Sequence, residues 1–377
     1  PTFQIPKQDQ KEAKSSSLAA MIASTDCAST FSPFLPKVQD AWDFLMFRGQ
    51  SRSFRLVLRE ASLDENCLKF LHQQASDLRN SQRLSKILVR QAKAPGHALI
   101  DDHIVDFLRL NQSSLKELTL TPEFDAVIGA YTIHPSLLQV LPELQQLECL
   151  TLEKFHLGDE STVESLAQYF FGDNPPPNLK HLALRNCVLN RDATLALSKA
   201  FKSFGKLEKS SLHGVEIPSL ELLNTITTSL AESPSALQHL ELISMEFTME
   251  SLASLAHLIN EQHSMHTLEL DWNYNLFHEA ASTFACRSDL HLFVKAVSSH
   301  PSLRELQMSE CSISGDTLAP LLHGLEDNKI LKVLQLGCNR DLTINRNWLD
   351  SLAKLKHLES LDLSDSLPRI LSPAQQN

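Results

Sequence analysis

Apolar residues recur along this chain at the first, fourth and sixth places of a six-residue unit, with polar residues between them. The copies are LKELTL at Leu115, LECLTL at Leu147, LKHLAL at Leu179, LEKSSL at Leu207, LQHLEL at Leu237, MHTLEL at Met265, LRELQM at Leu303, LKVLQL at Leu331 and LESLDL at Leu358. Successive copies begin 32, 32, 28, 30, 28, 38, 28 and 27 residues apart, which is the spacing of a structural repeat. Two weaker copies upstream, SFRLVLREASL from Ser53 and LSKILVRQA from Leu84, continue the series in steps of 31 and bring it to eleven turns. In the copy at Leu207, Ser210 stands where the others carry a core leucine.

A strand alternates its side chains, so the fourth and sixth positions predict a buried row and the third, fifth and seventh an outward one. Each unit then needs a return segment, and the spacing there predicts a helix. Val163, Leu166, Ala167 and Phe170 follow an i, i+3, i+4, i+7 stripe behind a Ser161-x-x-Glu164 capping box. The stripe recurs at Leu195, Leu197 and Ala200, at Leu222, Leu223, Ile226 and Leu230, and at Leu252, Leu255, Ala256 and Ile259.

Residues 51–367 resemble the leucine-rich-repeat family, and the long, helix-bearing units look most like its ribonuclease-inhibitor-like subclass. The family consensus places Asn or Cys three residues after the last strand leucine and an apolar residue two later. Cys187 with Leu189, Cys311 with Ile313, and Asn273 meet it; Phe155, Val215 and Met245 depart from it; Asn339 is in place, with its apolar follower one residue late at Leu342. The fold this resemblance implies is an α/β solenoid, a horseshoe with parallel strands on the concave face and helices on the convex face.

A repeat stack needs covered ends. Residues 35–50 read as a helical N-terminal cap with Val38, Trp42, Leu45 and Met46 on its apolar face, and residues 1–34, rich in Ser, Thr, Gln and Lys, as a flexible segment whose Phe31 and Phe34 pack on that cap. Pro368 and Pro373 mark residues 368–377 as a C-terminal tail. Lys7, Lys11 and Lys14 before Leu18–Ala23 imitate a secretory signal, but Glu12 and Ser15 to Ser17 dilute it and the apolar stretch is short for a signal core. No run approaches the ~18 apolar residues of a membrane span.

Charge narrows the function. A formal net charge of −11 disfavours indiscriminate binding to nucleic acid or anionic lipid and favours a basic protein surface. The seven cysteines are odd in number, scattered and without a CxxC pair, which fits a reducing cytosol, or a host cytosol for a secreted effector.

The search for catalytic or metal chemistry predicts no enzyme and no cofactor. A glycine-rich phosphate loop, a GxSxG elbow and a kinase triplet are all missing. His278-Glu279 opens like a zinc-protease helix, but Ser282 stands where the second histidine belongs. Cys187 and Cys311 read as interior repeat residues, and Cys149, at an outward third position, as an inert exposed thiol. His239 and Glu241 on one strand with His266 and Glu269 on the next are a candidate metal cluster, with a solvated polar patch the plainer reading.

The outward positions are uneven in charge. Arg55, Arg59, Lys86 and Arg90 mark the N-terminal turns; His181, Arg185, Lys209 and His213 the middle; Glu241, Glu269, Asp271, Glu305 and Asp362 the later ones. Like charges on adjacent strands repel, so the acidic group costs stability unless a cation or a basic partner answers it. Trp272 and Tyr274, at the exit of the same acidic turn, are candidate interface anchors or loop-packed residues. The 38-residue step adds about ten residues between Asn275 and Asp289, read as a loop, and the site is placed around residues 239–310 with His239 at its edge. The function expected is non-catalytic binding of a protein partner on the concave face, as adaptor, inhibitor or bacterial effector. The alternatives are a GTPase-activating protein or the substrate-recognition arm of a ubiquitin ligase.

Overall fold

The computed structural model describes residues 55–58, 86–91, 105, 108–109, 112–122, 131–132, 139–158, 177–278, 284–340, 342 and 346–366. The expected cap at 35–50, the segment 1–34, the tail 368–377 and the Val163–Phe170 helix lie outside them, as does Arg59. The chain divides into two compact units, Pro1–Leu179 and Lys180–Asn377.

In the first unit, strands β1 (Arg55–Leu58), β2 (Lys86–Gln91), β3 (Glu117–Pro122) and β5 (Cys149–Glu153) pair in parallel in that order. Their register aligns Leu56, Ile87, Leu118 and Leu150, the fourth positions of four successive units. Leu118, Leu120, Leu150 and Leu152 are almost fully buried. Two short strands, β4 (Tyr131–Thr132) and β6 (Phe155–His156), form a separate parallel pair.

The second unit repeats a strand and a return segment. Its strands are β7 (His181–Arg185), β8 (Lys209–His213), β9 (His239–Ile243), β10 (Thr267–Glu269), β11 (Glu305–Gln307), β12 (Val333–Gln335) and β13 (Ser360–Asp362). Each pairs in parallel with the next, with Leu182, Ser210, Leu240, Leu268, Leu306, Leu334 and Leu361 in one row. Between them run α1 (Arg191–Ser203), α2 (Leu220–Ala231), α3 (Leu252–Glu261), α4 (Phe284–Ser299), α5 (Gly315–Gly324) and α6 (Arg346–Leu352), each packed on the next. This is the strand-and-helix repeat that the leucine spacing predicts. Asn190 and Ser219 start α1 and α2 by accepting the Ala193 and Leu222 N–H groups, satisfying donors that a helix leaves unpaired.

Helix stripes and strand leucines form one buried layer: Leu197 and Ala200 on α1, Leu223, Ile226 and Leu230 on α2, Leu252, Leu255 and Ile259 on α3. Ser210 is fully buried in the leucine row and its Oγ has no hydrogen-bond partner, an unsatisfied hydroxyl where the other copies place methyl groups. The 38-residue step corrects one expectation. Its extra residues are not all loop, because those from Phe284 onward open the 16-residue α4. Leu290, Phe293, Val294 and Val297 give that helix a buried stripe, and adding a turn to an anchored helix costs little once it is nucleated.

Candidate functional site

Each strand of the second unit leaves the sheet through the same turn. The second residue after the last strand apolar residue is left-handed in Asn186, Gly214, Ser244, Trp272, Glu310, Cys338 and Asp365, with φ between 51° and 65°. Its N–H donates to the next unit's backbone: Gly214 to Ile243 O, Ser244 to Asp271 O, Trp272 to Ser309 O, Glu310 to Gly337 O. The stacked turns are therefore registered one on another. One residue further, the chain turns inward. There Asn273, fully buried, accepts the Met245 and Phe247 N–H groups at 2.9 and 3.4 Å and donates to Leu242 O and Leu270 O at 2.9 and 2.6 Å. Asn339 does the same for Cys311 and Ile313, and Ser366, not singled out in the sequence, closes the ladder by donating to Leu336 O. Cys311 belongs to this interior: its Sγ donates to Leu270 O at 3.1 Å, and burial pushes its thiol far above the usual range. Cys187 is buried likewise. Val215, Met245 and Phe155 hold the same place as core side chains.

A second polar set, unseen in the sequence, joins the helix ends. The Gln262 amide donates to Leu230 O at 2.8 Å. His300 accepts the Leu303 N–H at Nδ1 and so carries its proton at Nε2, 3.1 Å from Gln262 O. Burial depresses the His300 pKa.

The outward rows follow from the register. Third positions align His181, Lys209, His239, Thr267 and Glu305; fifth positions align Ala183, Ser211, Glu241, Glu269 and Gln307. Glu241 and Glu269 are thus cross-strand neighbours, with Asp271 beyond Glu269 and Glu305 diagonal to it. Of the four, Glu241 is answered within the chain by an ion pair with Lys209. Burial opposes its charge most, yet Lys209, Ser211 and Arg185 together outweigh burial and pull the carboxyl below its ordinary value. Asp271 accepts the Ser309 N–H at 2.7 Å, and burial still raises it. Glu305 accepts from Gln307 Nε2 at 3.0 Å. Glu269 is half-buried without an ion pair among the described residues, and burial followed by repulsion from Glu241 and Asp271 raises its pKa to about 7.

His239 meets His266 edge-on, ring centroids 6.5 Å apart, and partial burial, then Lys209, lowers its pKa. No group of three His, Cys, Asp or Glu side chains able to hold a metal ion stands together among the described residues, so His239, Glu241, His266 and Glu269 are not gathered into a metal cluster. Trp272 and Tyr274 are both exposed, at 53% and 50%, and meet edge-to-face at 6.2 Å. In the first unit, Arg55 and Lys86 are register partners on β1 and β2, and Arg90 aligns with Thr121 on β3. Among the described residues no helix is long and apolar enough to cross a membrane.

No protein-family model matches the chain. Among solved structures it is similar to the TLR13 chain of a TLR13–ssRNA13 complex, at 16% identity and a TM-score of 0.37 over 76% of this chain. It spans 40% of the length of that TLR13 chain. It is also similar to an internalin, inlF, from Listeria monocytogenes, at 14% identity and a TM-score of 0.39, covering 82% of this chain and 91% of that one. Superpositions that loose add nothing about function to what the side chains themselves say.

Proposed function

We propose that this chain is a non-catalytic protein-binding module, and that the outward face of β9 to β11 grips a partner through a basic surface. The observation that carries the reading is Glu269, a half-buried carboxylate set among Glu241, Asp271 and Glu305 without an ion pair among the described residues. Packing three further acids around it costs stability, and a cation supplied by a partner relieves that cost while steering the encounter. Separately, Arg55, Lys86 and Arg90, on β1 and β2, give the first unit an opposite charge that suits an acidic surface. The helix-bearing units support a ribonuclease-inhibitor-like subclass, and Cys311 and Cys338, neither of them in a disulfide, support a cytosolic adaptor, inhibitor or effector working in its own or a host cell.

The test uses the full chain as bait for affinity capture with mass spectrometry, wild type against Glu269→Lys. Glu269 is the position to change, because Glu241 is already paired with Lys209 and Asp271 holds the Ser309 amide. Loss of at least about tenfold in recovery of the principal captured protein is expected for a buried charge reversed at an interface. Undiminished recovery dismisses the acidic face as the contact.

A further inference from the structure

The strand-exit turns form a second surface, beside the outward strand rows. Three consecutive turns are carried there by β9, β10 and β11, spanning residues 244–248, 271–277 and 309–314. They hold Glu246, Asp271 and Glu310 and not one Lys or Arg. The middle turn bears Trp272 and Tyr274, two of the large apolar side chains left exposed among the described residues. They flank Asn273 in sequence, and Asn273 is pinned in the core through its hydrogen bonds to Met245, Phe247, Leu242 and Leu270. The Trp272 N–H is itself tied to Ser309 O. Two rings are therefore held out to solvent on a backbone fixed from below, which reduces the entropy lost when something docks on them. The acidic residues of these three turns say what docks. Glu246 lies across from Asn273, between the two amides that Asn273 accepts, and Glu310 follows Trp272 in the left-handed row of the next turn.

An aromatic face attracts a cation, and a planar guanidinium both stacks on a ring and forks its N–H groups to carboxylates, which an ammonium does not do. We propose that the exit-turn edge of β9 to β11 is a docking site for an arginine-bearing segment of a partner protein, its guanidinium stacked on the Trp272–Tyr274 pair and its N–H groups turned to Glu246, Asp271 and Glu310. This rests on the chain being a protein-binding module and names the chemistry of one contact.

A dye-labelled, end-blocked peptide of alternating glycine and arginine tests it by fluorescence anisotropy on the full chain. Analogues carrying citrulline or lysine in place of arginine serve as controls. Saturable binding of the arginine peptide is expected, at least tenfold weaker with citrulline, weaker with lysine, and at least tenfold weaker on Trp272→Ala/Tyr274→Ala; Trp272→Phe keeps most of it. Equal binding by the double variant, equal binding of either analogue, or no saturable binding to wild type overturns the site. The underlying reading is scored separately in the capture experiment. A partner lost with Glu269→Lys but kept with the double alanine variant leaves the module and removes the arginine site; a partner lost with neither removes the acidic-face reading as well.

Discussion

The exit turns of β8 and β10 follow the same backbone path with different side chains on it. Gly214 and Trp272 occupy the same left-handed position, at φ 58° and 65°, and both N–H groups reach the next unit at 2.8 and 2.9 Å. After Gly214 comes Val215, buried and apolar, and there the turns are joined through backbone groups: Glu216 N–H to Cys187 O at 2.9 Å and Leu189 N–H to Glu216 O at 3.0 Å. After Trp272 comes Asn273, and there the join to the β9 turn passes through a side-chain amide. Stacking dictates the path; what each turn offers to solvent is left free. At β8 the turn shows glycine, and at β10 it shows an aromatic ring in a conformation that costs a bulky residue roughly 1 kcal/mol.

Giving the β10 turn the side chain of β8 is the severest way to break the comparison. Asn273→Val leaves the Met245 N–H and the Leu242 carbonyl without their buried partner, and chemical denaturation is expected to show a loss of about 3 kcal/mol. A loss below about 1 kcal/mol means that the backbone join of β8 can form at β10 too.

Next in size is the response to pH. Glu269 is raised in the folded chain to about 7 from an ordinary 4.5, so its neutral form favours the fold. That stability is fully present below about pH 4.5 and is lost as pH rises through about 7, by about 1–2 kcal/mol once the shift is discounted for solvent screening. His300, depressed by burial, works in the opposite sense and destabilises the fold as pH falls below its unfolded value. Comparing wild type with Glu269→Gln cancels that contribution. The variant is expected to gain on wild type as pH increases from 5 to about 8; parallel curves rule out the raised Glu269 pKa that burial and its acidic neighbours produce.

The smallest effects come from exchanging the left-handed residues. At Gly214 an added Cβ lies 2.6 Å from Asn186 Oδ1, so Gly214→Ala is expected to cost about 1–2 kcal/mol through φ and crowding together. Trp272→Gly relieves the strained φ while losing only the buried half of a ring, and its stability in chemical denaturation is expected to stay within about 1 kcal/mol of wild type. A large loss there makes Trp272 a structural residue and not a surface one.

The leucine spacing alone determined the strand series, the inward and outward rows and the helical return segments, because a period of two and a period of 3.6 are written directly in the order of residues. It also gave Asn273 and Asn339 their interior place, and named Glu269, Trp272 and Tyr274. Only the tertiary structure decided what those side chains meet. That Lys209 answers Glu241 and leaves Glu269 without an ion pair among the described residues depends on which carboxylate an ammonium on the neighbouring strand can reach. That His300 bonds Gln262 across 38 residues, and that α4 takes up much of the long step, likewise have no local signature. Local periodicity fixes where a side chain points; electrostatics and hydrogen bonding depend on distances between residues some thirty positions apart, and those exist only once the units have stacked.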